Sequence, residues 1–323
     1  MKLQQLRYIV EVVKHDLNVS LTAESLYTSQ PGISKQIKLL EDELGVQIFA
    51  RSGKHLTHLT PIGQDIVHIA QEILSKVSAI KVAAVEHTQP NQGVFNIATT
   101  YTQARYMLPL VIQHFMQQYP HISLQMEQGS SRQVVDDVVS GKVDFAIVSE
   151  LPKVNDDFIV LPCYHWNYAI ILPKNHPLAT LPILTIADLA QHPLVSYDFS
   201  SDGSDLSKAF SRANYEPNIV FNISDADLIK TYVKLGIGVG ILAKMAVDEE
   251  QEQDLLVFNA GHLFSYNTTY IVFRRTLFLR NYMYEFIYQF SSHLTKELID
   301  KALACNSNAE IQAMFNGIKL PVR

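Results

Sequence analysis

The sequence predicts a small helical head closed by a β-hairpin, a long connecting helix, and a remainder built as two α/β lobes. Three observations carry that division. Apolar residues recur at helical spacing as far as residue 44, then give way to two short strand-like runs around Arg51 to Lys54. From 60 to 87 an apolar stripe runs at alternating threes and fours. From Gly93 onward strand-like and helix-like runs alternate, the order that builds parallel sheets. The 323 residues exceed one typical domain, and an apolar content of 47% supplies real cores.

The first helix is expected over Lys2 to Lys14, with Leu3, Leu6, Val10 and Val13 on one face, and the second from about Asn18 to Tyr27, with Ala23 and Leu26 inward. The third follows Ser29, whose hydroxyl suits an N-cap. Pro31 fits the first turn, where its missing N–H is not needed, and Gly45 suits the C-cap. Ile33, Ile37, Leu40 and Leu44 form its apolar stripe. Ser29, Gln30, Pro31, Ser34, Lys35 and Lys38 are left for an outward side. A helix that enters a DNA major groove needs this division between an anchoring and a polar, basic face. Strands over Val46 to Phe49 and His55 to Leu59 complete a winged helix-turn-helix over residues 1–59. Its Arg51 and Lys54 suit phosphate or minor-groove contacts.

Residues 60–89 read as a linker helix and hinge. Its stripe of Ile62, Ile66, Ile69, Ile73, Val77, Ile80 and Ala84 calls for a partner helix; pairing between subunits is the expectation, and packing on the chain's own effector domain is the alternative. Beyond the turn formers 88–93, strands are expected at 93–100, 122–129 and 143–150, with helices at 103–118 and 132–139. A second set starts near Tyr164. It comprises WNYAIILP, PLVSY, NIVFNIS, a helix Ala226 to Leu235 and VGILA. Thr268 to Arg275 and a helix Leu279 to Ser292 then return to the first lobe. Lobe I therefore spans 90–163 and 265–292, and lobe II spans 164–264. Residues 293–323 form a tail of one helix and an irregular end.

The formal net charge is −6, yet residues 1–88 balance nine Lys and Arg against nine Asp and Glu. DNA affinity would then come from the local cluster Lys35, Lys38, Arg51 and Lys54. Cys163 and Cys305 lack any metal or CxxC spacing, and reduced thiols are expected. The first residues lack a secretion signal, and no apolar run reaches the ~18 residues of a membrane span. A cytoplasmic location is the expectation, with no membrane partner.

The segments SQPGISKQIKLLEDELGVQIFARSGKHLT and VKLGIGVGIL carry a resemblance to the LysR-type transcriptional regulators over essentially the whole chain. YTSQPGISKQ, IFARSGKHLT, IATTYTQARY, LPCYHWN, DADLIKTYVKLG and AMFNGIKLP narrow it to the branch that governs sulfur and cysteine genes. That resemblance implies an effector domain like a type 2 periplasmic binding protein. It also implies a dimer or tetramer on promoter double-stranded DNA that recruits RNA polymerase. No prosthetic cofactor is implied. The inducer would be N-acetylserine or O-acetylserine, with sulfide or thiosulfate opposing it, and sulfate or thiosulfate as alternative small-anion effectors.

The residues support such a cleft independently. Thr99 to Gln103 is a strand end followed by a helix start, where backbone N–H groups and the helix dipole favour anions. Thr100, Thr102 and Gln103 add neutral donors, although Thr102 would equally serve as an ordinary N-cap. Gln128, Ser149 and Glu150 lie at neighbouring strand ends, where ligands of open parallel sheets bind. For Glu150 a solvated strand end is the bland alternative. Relatives carry Thr-Gly-Arg in a lobe II loop. Here the stretch is Ser200 to Ser204, one residue shorter and without the Arg, so Ser201 is the remaining hydroxyl and Asp202 would repel an anion.

Two other classes compete. A two-lobed cleft alone would fit a solute-binding protein, and an enzyme would need a coherent catalytic set. Neither HExxH nor a GxxxxGK[ST] loop occurs. Gly236 to Gly240 follows a helix instead of a strand, so packing glycines are expected there, and His165 is expected to be structural.

Overall fold

The computed structural model describes residues 1–53, 55–197, 205–248, 250 and 252–323. Lys54 and Ser201 to Ser204 therefore lie outside the described residues. The chain forms two compact units, Met1–Thr88 with Thr276–Phe278, and Gln89–Arg275 with Leu279–Arg323.

The first unit holds α1 (Leu3–Lys14), α2 (Val19–Ser25), α3 (Gln30–Leu44), β1 (Phe49–Ser52), β2 (His55–Leu59) and α4 (Pro61–Thr88). On α1 the buried face is Leu6, Ile9, Val10 and Val12. Leu3, expected inward, is exposed in the first turn, and Val13 is only partly covered. Asn18 caps α2 by accepting from the Leu21 N–H, and Ala23 is buried while Leu26 is half-buried just past the helix end.

Ser29 caps α3 by accepting from the Gly32 N–H at 3.3 Å, and Gly45 closes it in the left-handed region. Ile33, Ile37 and Leu40 are buried as expected. Leu44 is 40% exposed, because Ile48 and Phe49 fill the core there instead. The first wing strand starts at Phe49, three residues later than the alternating pattern suggests. Val46 to Ile48 are drawn to α3 instead. The Val46 N–H bonds the Glu41 carbonyl, the Ile48 N–H bonds the Glu41 carboxylate, and the Ile48 carbonyl accepts from the Thr60 N–H. Those groups are thus withdrawn from the hairpin ladder.

The Thr60 hydroxyl caps α4 through the Gly63 N–H. Gly63 is required there, since a Cβ would stand 2.0 Å from the Ile48 carbonyl oxygen. The apolar stripe of α4 divides. Ile66 and Ile73 pack against the head core beside Val67 and Ala70, while Ile62, Ile69 and Ile80 are exposed.

The second unit runs through β3 (Gly93–Thr99), a π-helical turn (Gln103–Met107), α5 (Leu108–Gln118), β4 (Ile122–Gln128), α6 (Ser131–Ser140), β5 (Phe145–Val148) and β6 (Phe158–Trp166). It continues with β7 (Tyr168–Pro173), α7 (Ile186–Ala190), β8 (Leu194–Ser196), α8 (Asp205–Arg212), β9 (Ile219–Asn222), α9 (Ala226–Lys234) and β10 (Val239–Ala243). β11 (Leu255–Asn259), β12 (Asn267–Arg274), α10 (Asn281–Phe290), α11 (Lys296–Ala304) and α12 (Asn308–Phe315) complete it. Two five-stranded sheets result, in the orders β4-β3-β5-β12-β6 and β11-β7-β10-β8-β9.

Neither sheet is wholly parallel, as the strand–helix alternation implied. β12 is antiparallel to both β5 and β6, and β7 is antiparallel to both β10 and β11. These are the two strands that enter each sheet directly from the other lobe, with no helical crossover to reverse the chain. The entry also lies later than the pattern near Tyr164 suggests. β6 pairs with β12 through Trp166, so the chain crosses at Asn167. β11 and the short helices α7 and α8 were not legible in the sequence.

Aromatic spacing of four along α10 buries Tyr282, Phe286 and Phe290, while Tyr288 is 45% exposed. Phe95 meets Phe145, Tyr282 and Phe286 edge-on at 5.1, 5.6 and 5.2 Å, which fixes that core. Gly240 lets α9 lie close on the second sheet, since a Cβ would meet Ile171 at 2.5 Å and Val233 at 2.7 Å. This bears out a packing role for that glycine. The tail is two helices and an ordered end. The His165 N–H donates to the Pro321 carbonyl and the Arg323 N–H to the His165 carbonyl, which covers part of the edge strand β6.

Candidate functional site

On α3, Ser29, Gln30, Pro31, Lys35 and Lys38 are exposed and Ser34 is half-buried. The Gln30 amide donates to the Ser34 hydroxyl at 3.1 Å, so these two present a joined polar surface. Arg51 is not a free wing cation. Its guanidinium bonds the Glu41 carboxylate at 2.7 Å, and the same carboxylate accepts from the Ile48 and Phe49 N–H groups at 2.9 and 3.1 Å. A guanidinium has five N–H donors, so the pairing orients Arg51 without exhausting it. One buried carboxylate on the recognition helix therefore fixes both the start of the wing and its arginine.

In the second unit the ends of β3 and β5 and the start of the next helix bring Thr100, Thr102, Gln103 and Ser149 together. Thr100 Oγ1 lies 3.1 Å from Ser149 Oγ. Gln103 is fully buried, and its Nε2 donates to Ser149 Oγ and to Thr269 Oγ1, each at 3.2 Å. The Tyr164 phenol donates to Gln103 Oε1. Thr102 is helical, makes no cap hydrogen bond, and instead pairs with Tyr197 Oη of the other lobe at 3.3 Å. Ordinary capping by Thr102 is thereby excluded. The Ala104 N–H is the first to bond back, to the Thr100 carbonyl, so the N–H groups of Tyr101, Thr102 and Gln103 precede the helical ladder.

Gln128 ends β4 exposed, and among the described residues its side chain makes no hydrogen bond to this group. Glu150 is exposed as a residue, but its carboxyl accepts from Tyr168 Oη at 3.3 Å. Loss of water around that carboxyl, with Asp205 nearby, holds its pKa above the usual carboxylate range against the pull of Tyr168 and Lys208. The solvated-end reading of Glu150 thus describes the backbone better than the carboxyl. Trp166 is buried, donates to the Ser149 carbonyl at 3.1 Å and lies 5.1 Å from Tyr168, so it touches the same site. His165 pairs with Thr268 Oγ1 at 2.9 Å, a structural arrangement. Both cysteines are free, and burial raises the Cys163 thiol pKa, which makes it inert.

Tyr164, Thr269, Tyr197 and Met245, whose Sδ lies 3.8 Å from Gln103 Nε2, were missed by sequence reasoning. Only Tyr197 carried a signal, since it sits at the carboxyl end of a parallel strand. Burial pushes its phenol pKa up to about 12, so it stays a protonated donor at neutral pH.

A second group ties the lobes together beside this site. The π-turn that carries Gln103 also carries Arg105 and Tyr106. Tyr106 Oη donates to Asp227, and Arg105 pairs with the same carboxylate. Lys230 bonds Asp227 at 2.7 Å, Glu252 at 3.1 Å and the Tyr106 oxygen at 3.0 Å. Desolvation opposes ionisation of Asp227, but the bonds from Lys230 and Tyr106 outweigh it and lower its pKa. Glu252 is lowered likewise, where Lys234 and Lys230 outweigh burial. A π-turn at a functional junction is a recurrent use of that irregularity.

Comparison with known proteins places these features. Residues 3–64 match the model of the bacterial regulatory helix-turn-helix protein, lysR family, and residues 88–295 match that of the LysR substrate binding domain. The chain is similar to the HTH-type transcriptional regulator CysB of Haemophilus influenzae, at 52% identity over 100% of both chains. It is 40% identical to the HTH-type transcriptional regulator SsuR of Burkholderia cenocepacia, over 92% of this chain and 96% of that one. Among solved structures, the cofactor-binding domain of the Cbl transcriptional regulator superposes with a TM-score of 0.62 at 34% identity. It covers 66% of this chain and 93% of that one. These relatives are regulators and not enzymes, and among the described residues no helix is long and apolar enough to cross a membrane. The chain belongs to the LysR family of helix-turn-helix transcriptional regulators.

Proposed function

We propose that this CysB-like regulator activates genes of sulfate assimilation and cysteine synthesis from the cytoplasm. It reads promoter DNA with Ser29, Gln30, Pro31, Ser34, Lys35 and Lys38, positions itself with Arg51 and Lys54, and recruits RNA polymerase. The full-length 52% identity to CysB is the observation that carries this reading. The exposed Ile62, Ile69 and Ile80 of α4 support pairing of subunits as a dimer or tetramer. The effector is N-acetylserine or O-acetylserine, or a small sulfur anion such as sulfate or thiosulfate. It binds between the lobes, with Thr100, Thr102, Gln103, Gln128, Ser149, Glu150 and Ser201 as its contacts.

The similarity to SsuR and Cbl supports a second reading, control of genes for alternative sulfur sources such as alkanesulfonates. The effector claim is tested by Thr102→Val. This variant should lose the response of operator binding to N-acetylserine in a gel-shift assay while its basal operator affinity stays. Loss of both together would mark Thr102 as a folding residue.

A further inference from the structure

Residues 321–323 lie along β6. The His165 N–H donates to the Pro321 carbonyl at 2.8 Å, and the Arg323 N–H donates to the His165 carbonyl at 2.9 Å. Both main-chain groups of His165 are thus spent on the tail. Leu320, 9% exposed, anchors the approach to this stretch. Side chains alternate along a strand, so Tyr164 lies on the face opposite to the one where His165 meets Thr268. β6 is the outermost of its five strands, yet Tyr164 is fully buried. The Arg323 guanidinium sits over its ring, 5.2 Å from the centroid, and Phe290 of α10 lies 5.7 Å away. At that separation the cation is drawn to the negative face of the ring.

The far end of the same ring reaches the cleft. Tyr164 Oη donates to Gln103 Oε1, and Gln103 Nε2 donates to Thr269 and Ser149, each at 3.2 Å. Ser149 in turn pairs with Thr100 at 3.1 Å. A glutamine side chain has several rotatable bonds, so its carboxamide stays only where its partners hold it. Of the three partners, Ser149 is one of the proposed effector contacts and is shared with the ligand. Thr269 is held by its place within β12. The Tyr164 phenol stands at the end of a long side chain whose ring is held by Arg323 and Phe290. Burial raises its pKa, so it keeps its proton at neutral pH.

We infer that Tyr164 and Arg323 are positioning residues of the effector site: the tail, laid along β6, holds the phenol, and the phenol holds the Gln103 carboxamide where Ser149 meets it. This rests on the reading of the cleft as the effector site. Effector affinity is then set in part by two side chains that touch no effector, and the tail is part of the sensor.

The test uses the full-length protein, with N-acetyl-L-serine and sulfate as probes in calorimetry and operator gel shifts without probe as the control. Arg323→Ala should weaken probe binding about threefold, the weight of one exposed cation–π contact, and leave operator affinity in place. Arg323→Lys keeps a cation over the ring and should recover most of that loss. Tyr164→Phe keeps the ring but releases the carboxamide, and should weaken binding roughly fivefold, the weight of one neutral hydrogen bond. In the Tyr164→Phe background Arg323→Ala should cost nothing further, because its effect passes through the missing phenol. A tail that serves stability alone would lower affinity by the same factor in both backgrounds, and that result would overturn the positioning role. So would wild-type affinity in Arg323→Ala, or a parallel loss of operator binding. Arg323 is exposed, so its two variants decide the matter even if Tyr164→Phe melts early. Failure of the wild type to bind either probe would instead remove the cleft reading, and the positioning role with it.

Discussion

Replacing Glu41 by Ala should uncouple the wing from the recognition helix. The carboxylate is 7% exposed and accepts three hydrogen bonds, from the Ile48 N–H at 2.9 Å, the Phe49 N–H at 3.1 Å and Arg51 at 2.7 Å. Each buried amide left without a partner costs about 1–3 kcal/mol. The Arg51 side chain is 33% exposed, so solvent screens the ion pair and limits its share to about 1 kcal/mol or less. The sum is roughly 2–7 kcal/mol for Glu41→Ala. Glu41→Gln retains an acceptor oxygen for the amides and should cost only about 1–2 kcal/mol. For a unit of this size that corresponds to a melting shift of roughly 5–15 °C for the Gln variant. Calorimetry on the full chain, following the transition of the head, measures it, and operator gel shifts report the wing. A Glu41→Ala head that melts within about 2 °C of wild type would refute this reasoning, because it would mean the two amides find other partners at no cost.

Two further outcomes are expected. Lys38→Ala should weaken operator binding and, if the ammonium contacts only phosphate, lower the slope of log affinity against log salt by about one. Unchanged binding would remove Lys38 from the interface. The bridge between the lobes should fail in acid. Asp227 and Glu252 have folded pKa values below their ordinary 3.8 and 4.5. Their stabilisation is therefore complete above those ordinary values and is lost as pH falls through the lower folded ones. Urea midpoints followed by Trp166 emission should drop along that limb, and Asp227→Asn with Glu252→Gln should flatten it. An acid limb of unchanged steepness in the double variant would assign it to other carboxylates.

The reading head was legible because its signals are local. A cap at Ser29, a left-handed Gly45 and a stripe of Ile33, Ile37 and Leu40 each depend on neighbours within a few residues. What escaped was decided by distant partners. Glu41 looked like an ordinary surface acid on a polar helix, and only the folded-back Ile48 and Phe49 amides make it a buried anchor. Leu44 fitted the stripe but lost its place to residues beyond the helix end. In the cleft, Thr100, Thr102 and Ser149 followed from strand ends, a rule of topology that a pattern of strands reveals. Thr269 sits inside β12 and Tyr164 inside β6, where alternation alone marks them as ordinary strand residues. Their role comes from meeting Gln103 across 166 and 61 positions of sequence. Asp227 and Lys230 lay in a quoted motif, yet nothing local paired them with Tyr106. The antiparallel strands β7 and β12 escaped for a similar reason, since the alternation of strands and helices does not record which connection changes lobe.

The central claim is a DNA-binding regulator whose cleft reports sulfur supply. Genome-wide mapping of the DNA bound by this protein in its host, with and without cysteine limitation, tests it most directly. Occupancy at promoters of sulfate uptake and cysteine synthesis should change with limitation. Peaks confined to alkanesulfonate genes would transfer the protein to the second reading. Occupancy elsewhere, indifferent to cysteine, would contradict the account.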